Sequence, residues 1–191
     1  MERKAIRILG LGGSLKAGSG SLSALKTVLA AAAAAGAETE LLALHESGLP
    51  FFDPAKELKD YPVAVPAFLD AARRADGIVW CSPAYHGTVS GAIKNALDFL
   101  EFLSKDPVPY ITDKPVALIS VSGGAQAAVN TVNALAHVAQ ALRGIVVPMQ
   151  APIVTTGQTF DKEGRFSDAK MHARLELMGA ELVKLAQKLK A

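Results

Sequence analysis

The chain carries one cysteine, Cys81, in 191 residues, which excludes an internal disulfide framework and leads us to expect a reducing compartment, the cytoplasm. Net charge is small: 20 Lys and Arg against 18 Asp and Glu leave +2 at neutral pH, with the basic residues scattered. The clustered cations of a nucleic-acid footprint are therefore missing, and no nucleic-acid partner is expected. No apolar window reaches the roughly 20 residues needed to cross a bilayer, so no membrane partner is expected either. The four histidines, His45, His86, His137 and His172, lie far apart and lack metal-ligand spacing. A Gly-x-Ser-x-Gly elbow is also missing, since neither 12–16 nor 121–123 supplies one, which argues against a Ser-His-Asp hydrolase. Met1-Glu2-Arg3-Lys4 runs directly into a strand-like segment, the pattern expected of a soluble, unprocessed chain.

What the chain does have is apolar content: 50% of its residues are hydrophobic, enough for one domain over residues 1–191 with a substantial core. Short hydrophobic runs fall at 5–11, 39–44, 77–81, 116–121 and 145–147. The first, third and fourth hardly alternate, as expected of parallel strands covered on both faces. Between them lie helical patterns at 22–35, 65–74, 89–103, 125–142 and 169–189. The uninterrupted alanines from Ala30 to Ala35, followed by Gly36, read as a helix with its stop. This alternation predicts right-handed crossovers and a doubly wound α/β fold: a five-stranded parallel sheet of order 2-1-3-4-5 with helices on both faces. Function then belongs at the carboxyl ends of strands 1, 3 and 4. Two longer stretches without periodicity, 45–64 and 151–167, read as functional or interface loops. Phe51 and Phe52 in the first of them either cap a pocket or pack against a second subunit, or, as is commoner for aromatics, simply anchor that loop onto the core; no role is assigned to them.

The loop after strand 1, from Leu9 to Ser21, combines glycines, hydroxyls and Lys16 ahead of a helix, a setting that binds anions. It is not a dinucleotide fingerprint, because Leu15 stands where the third glycine would be and no acidic residue ends strand 2. Nor is it a Walker A loop, because Ser19-Gly20 follows Gly18 in place of Lys-Ser. Two readings stay open: a monophosphate cradle built from Ser14, Lys16, Ser19, Ser21 and backbone amides, or a Gly/Ser turn that merely caps the helix through Ser19 or Ser21. The segment from Ser82 to Gly91 leaves the apolar run at 77–81 and enters a helix near Val89. Pro83 fixes its own φ and has no N–H, and Gly87 permits a turn that other residues resist, so a stiff loop with outward amides is expected, suited to a flat, polar-edged ligand.

Taken together, Gly-Ser-Leu-Lys-Ala-Gly-Ser-x-Ser after strand 1, Ser-Pro-x-Tyr-x-Gly-x-x-Ser-Gly-x-x-Lys-Asn-x-x-Asp from Ser82 to Asp98, and Ser122-Gly123-Gly124 after strand 4 resemble the NADPH-dependent FMN reductase family of flavodoxin-like proteins, which also includes quinone, chromate and azo-dye reductases. The resemblance runs over nearly the whole chain. It implies that Ser14, Lys16, Ser19 and Ser21 hold the FMN phosphate. Two of these depart from the family's pattern, since Arg is usual at Lys16 and Asn is frequent at Ser21, so a bidentate fork becomes a point charge. It further implies that Pro83, Ala84, Tyr85, His86 and Gly87 lie along the isoalloxazine ring and that Ser122, Gly123 and Gly124 approach from the other side.

The implied chemistry is hydride transfer from nicotinamide to flavin N5 and onward to a small-molecule acceptor, with no catalytic side chain required. His86 is read as serving loop geometry or ring contact rather than proton donation. NADPH, with NADH as the alternative, is the implied reductant, and Lys16 and Arg165 are candidate contacts to a 2′-phosphate. A homodimer or homotetramer is implied, built on the helix bearing Lys94, Asn95 and Asp98, for which the plain reading is a surface i,i+4 pair between Lys94 and Asp98. Cys81 and Trp80 are read as core residues rather than as a redox thiol and a flavin neighbour. The competing reading is a non-enzymatic flavodoxin-like carrier of single electrons, although such carriers are usually strongly acidic.

Overall fold

The computed structural model describes residues 5–155, 159–161 and 166–190; Met1 to Lys4 and Arg165 lie outside them. In chain order the elements are β1 (Arg7–Gly12), α1 (Gly20–Ala34), β2 (Glu38–Ala43), α2 (Ala64–Arg74), β3 (Gly77–Tyr85), β4 (Thr88–Val89), α3 (Gly91–Asp98), β5 (Pro115–Ser122), α4 (Ala125–Ala141), β6 (Ile145–Val146), β7 (Ala151–Val154) and α5 (Ala169–Lys190). Short 3-10 turns occupy Leu58–Asp60 and Phe99–Leu103.

The parallel sheet has the order β2-β1-β3-β5-β6, the doubly wound arrangement expected from the alternation. Its central strands are buried on both faces, which explains their unbroken apolar sequences. Ile8, Val79, Cys81, Ala117 and Ile119 face one core with α1 and α5. Leu9, Leu11, Ile78, Trp80, Val116 and Leu118 face the other, with α2, α3 and α4. Trp80 is therefore a core residue. The alanine run of α1 ends as expected, with Gly36 donating to the Ala33 carbonyl and Ala37 to that of Ala32. Small residues also let α5 lie close on α1: a Cβ on Gly179 would sit 2.9 Å from that of Ala31.

Three expectations need correction. First, β3 does not stop at Cys81 but continues through Pro83 and Ala84 to Tyr85. Cys81 O accepts the Gly13 amide from the β1 side, so strand alternation turns the Pro83 nitrogen to that same side, where β1 has already ended at Gly12. No ladder bond is lost there, and proline is tolerated. Second, the helix expected at 89–103 is an α-helix only over Gly91–Asp98; Thr88–Val89 instead pairs antiparallel with β3. Third, the fifth strand position is shared by β6 and β7, so 151–154, expected as loop, is strand. Ile145 sits opposite Pro115 and Ala151 opposite Ile119. The register offset thus grows by two residues across the interruption that contains Pro148. Pro152 within β7 is what disguised it.

Candidate functional site

The carboxyl ends of β1, β3 and β5 lie side by side: Gly12 is in register with Cys81, and Ser82 with Ser120. The chain turns from β1 to β2 on one side and to β3 on the other, so this edge is the switch point at which doubly wound sheets bind ligands. All three sequence-predicted loops emerge there.

After β1, Ser19 is the N-cap of α1 and its Oγ accepts the Leu22 amide at 3.3 Å. The amides of Gly20 and Ser21, the first helical positions, have no acceptor among the described residues. Ser14 is buried and its Oγ accepts the Lys16 amide at 3.1 Å, folding the loop back so that the Lys16 side chain stands exposed. Ser21 is buried too, with its Oγ 3.1 Å from that of Ser19. The four predicted residues are thus brought together, but unequally. Ser14 and Ser21 shape the loop, while Lys16, Ser19 and the helix-start amides face outward. Open amides, the positive end of α1 and an exposed ammonium fit a phosphate-sized anion. Capping by Ser19 and anion binding are compatible, so the plain reading of this loop holds without excluding the other.

After β3, residues 82–89 form a β-hairpin in which Ala84 pairs with Val89 and Tyr85 with Thr88. Its two turn residues both have positive φ, 52° at His86 and 85° at Gly87, the condition of a type I′ turn. Only glycine takes such a φ without strain, which accounts for Gly87. Asn is the favoured first residue of such a turn, and His86 fills that position. Tyr85 is exposed at the sheet edge.

After β5, Ser122 Oγ accepts the Gly124 amide at 3.2 Å, and Ser122 O accepts the Thr155 amide at 2.7 Å. Gly123 and Gly124 have no positive φ, and a Cβ on either would meet nothing within 4 Å. Neither backbone conformation nor internal packing therefore requires glycine at these two positions. What two glycines do provide there is a surface that a flat ligand can approach at backbone distance.

Reasoning from sequence alone missed several contributors. Asn95, on α3, accepts the Phe52 amide at 2.9 Å and donates to the Pro50 carbonyl at 2.8 Å, pinning the 45–64 loop beside the site. Phe52 packs edge-on to Phe99 and Phe102, as an anchor should, but Phe51 is 87% exposed. Lys94 and Asp98 form the expected i,i+4 pair. Phe160 lies against the start of α1, its ring 2.5 Å from where a Cβ of Gly20 would be, and it also packs at a tilt on Phe166, ring centroids 4.4 Å apart. Only the length of the 151–167 stretch hinted at this. Cys81 is fully buried beneath the loop and donates to the Ser21 carbonyl at 3.1 Å; burial pushes its thiol well up, in keeping with a core cysteine.

A doubly wound α/β sheet with a Gly/Ser loop, a stiff hairpin and a glycine turn at its switch point is the architecture of a flavodoxin-like protein. The chain belongs to the NADPH-dependent FMN reductase family, whose model matches residues 6–159. It is 32% identical over 179 residues to the NADPH-dependent FMN reductase ArsH of Shigella flexneri, covering 94% of this chain and 68% of that protein. With the NAD(P)H-dependent FMN reductase PA1204 of Pseudomonas aeruginosa it shares 31% identity over 169 residues, 86% of each. The solved structure of FerB, a flavoenzyme NAD(P)H:(acceptor) oxidoreductase from Paracoccus denitrificans, matches in fold with a TM-score of 0.78 at 22% identity, over 96% of this chain and 98% of that one. The chain is accordingly a flavin-dependent oxidoreductase with FMN and NADPH as its cofactors.

Proposed function

We propose that this chain oxidises NAD(P)H and reduces a small acceptor, such as free flavin or a quinone, with FMN held across the carboxyl edge of β1, β3 and β5. The observation that carries this reading is the Gly123-Gly124 turn, glycine without an internal reason, beside the hairpin and the anion loop. Lys16, the Ser19 hydroxyl and the amides of Gly20 and Ser21 hold the phosphate, with Ser14 and the Ser21 hydroxyl shaping the loop. Pro83, Ala84, Tyr85, His86 and Gly87 form one wall for the isoalloxazine ring, and Ser122, Gly123 and Gly124 approach it from the opposite side.

FMN, when bound, supplies the hydride chemistry. The protein's part is to orient it and to aim backbone donors at it, so no side chain acts as acid, base or nucleophile. The chain works as a homodimer or homotetramer through the face of α3. The exposed Leu15 and Phe51 flank this face around a cavity of about 450 Å³ that is also lined by Gly91, Ala92 and Asn95. Its single, buried thiol suits a reducing cytoplasm. Among the described residues no helix is long and apolar enough to cross a membrane.

The test is anaerobic mixing of the FMN-loaded protein with NADPH and, separately, NADH, following flavin absorbance. Rapid bleaching with either is expected. A flavin that stays oxidised with both sinks the reductase reading and favours an electron carrier.

A further inference from the structure

We propose that Ser90 is a positioning residue that locks the phosphate half of the FMN site to its ring half; this rests on the FMN placement above. Ser90 ends the hairpin and caps α3, with its Oγ accepting the Ile93 amide at 3.2 Å. Capping needs only a lone pair. The hydroxyl proton does something else: it is donated at 2.7 Å to the carbonyl of Gly13, 77 positions away, at the entrance of the phosphate loop. The Ile93 amide and the Gly13 carbonyl leave this assignment no choice, because an amide can only donate and a carbonyl can only accept.

The bond belongs to a closed set. The Ser90 amide donates to Ser82 Oγ at 3.0 Å, and Ser82 Oγ donates to the Pro83 carbonyl at 2.7 Å. The Gly13 amide donates to Cys81 O at 2.8 Å. Gly13 is therefore gripped from both sides, its N–H by β3 and its C=O by the start of α3. It also leaves no room for a side chain, since a Cβ there would lie 2.7 Å from that of Ile93. Ser82 and Ser90 are 0% and 3% exposed, so both hydroxyls are shielded from solvent and depend on these protein partners.

A ligand that touches the loop with its phosphate and the hairpin with its ring needs both at a fixed separation. With the Ser90 bridge that separation exists before binding; without it, the loop must be ordered at the ligand's expense. Riboflavin, which lacks the phosphate, calls only on the hairpin and the glycine turn. The bridge therefore adds to the preference for FMN over riboflavin that the phosphate contacts give.

The experiment titrates apoprotein with FMN and with riboflavin, by quenching of flavin fluorescence, in wild type, Ser90→Gly and Ser90→Thr. Glycine is nearly as good an N-cap as serine but has no hydroxyl, whereas threonine keeps both roles. In Ser90→Gly the FMN-to-riboflavin affinity ratio is expected to fall about tenfold, with riboflavin affinity within about threefold of wild type. Ser90→Thr is expected to restore the ratio. An unchanged ratio, whether both affinities hold or both fall by the same factor, overturns the proposal. Should Ser90→Gly fail to fold, Ser90→Cys keeps the side-chain volume with only a weak S–H donor, and an unchanged ratio there overturns it equally. A wild type that binds neither flavin defeats the FMN reading itself, a different outcome from equal losses in a variant.

Discussion

At the scale of single residues, the site is built from groups whose reasons can be separated. Gly87 is required by its backbone angle, whereas Gly123 has no such requirement, and a Cβ added there would meet no neighbour within 4 Å. Gly123→Ala should therefore leave the apoprotein as stable as wild type, or more stable by up to about 1 kcal/mol through a less flexible unfolded chain. Its affinity for FMN should fall about tenfold if the ring lies against that backbone. Thermal unfolding of the apoprotein together with a flavin titration checks both halves; full FMN affinity in the variant would remove Gly123 from the binding surface. His86 offers the opposite test. It sits where a type I′ turn favours Asn, so His86→Asn should relieve strain and keep turnover within about threefold across pH 5.5 to 8. Loss of one limb of the pH profile in that variant would instead assign the imidazole a proton-transfer role.

At the scale of elements, strand and helix order was legible because burial writes itself into composition. Strands such as Gly77–Cys81 must be apolar on both faces, and α1 declares its end at Gly36. The hairpin was not legible, because Pro83 normally argues against a strand and becomes acceptable only once β1 is known to stop at Gly12. The Asn95 clamp was equally hidden, since it joins residues 43 and 45 positions apart with no local signature. Of the site itself, the loops could be read from their glycines and serines, but not which hydroxyls face a ligand and which tie the loop together.

Lys114, just before β5, is another tie of this kind. Its Nζ donates to the carbonyls of Ala72 at 2.6 Å and Arg73 at 2.8 Å, closing the end of α2. Burial pulls its pKa from the usual 10.5 down to about 8, against an opposing pull from Asp76, whose carboxylate also pairs with Lys190. A neutral amine keeps two N–H donors, so both carbonyl bonds survive deprotonation. Between about pH 8 and 10.5 the unfolded chain holds a proton that the folded chain has released, so this group's contribution to stability rises with pH over that window. The difference in urea-unfolding free energy between wild type and Lys114→Met should climb from pH 8 to 10.5 in favour of wild type. A flat difference would mean that the folded lysine keeps its ordinary affinity for the proton.

At the scale of the whole molecule, the apolar surface is not evenly spread. Leu15 is 70% exposed and Phe51 87% exposed, and they stand at the rim of one cavity, the first on the loop after β1 and the second on the loop pinned by Asn95. Two large apolar side chains on loops next to the proposed FMN site are costly to leave in water and inexpensive to bury against a second copy. If a partner subunit covers them, association and flavin binding are linked, because ordering either loop helps both events. Phe51→Asp places a charge within that contact and should weaken self-association by about thirtyfold or more, as expected for an aromatic anchor. Light scattering over a dilution series then gives a dimer or tetramer for wild type and a monomer for the variant at low micromolar concentration. Because Phe51 itself belongs to neither the phosphate loop nor the hairpin, its loss should reduce FMN affinity only through dissociation. Affinity should recover as variant concentration is raised until it associates. A monomeric wild type, or a variant of unchanged mass, would place the subunit contact elsewhere on the molecule.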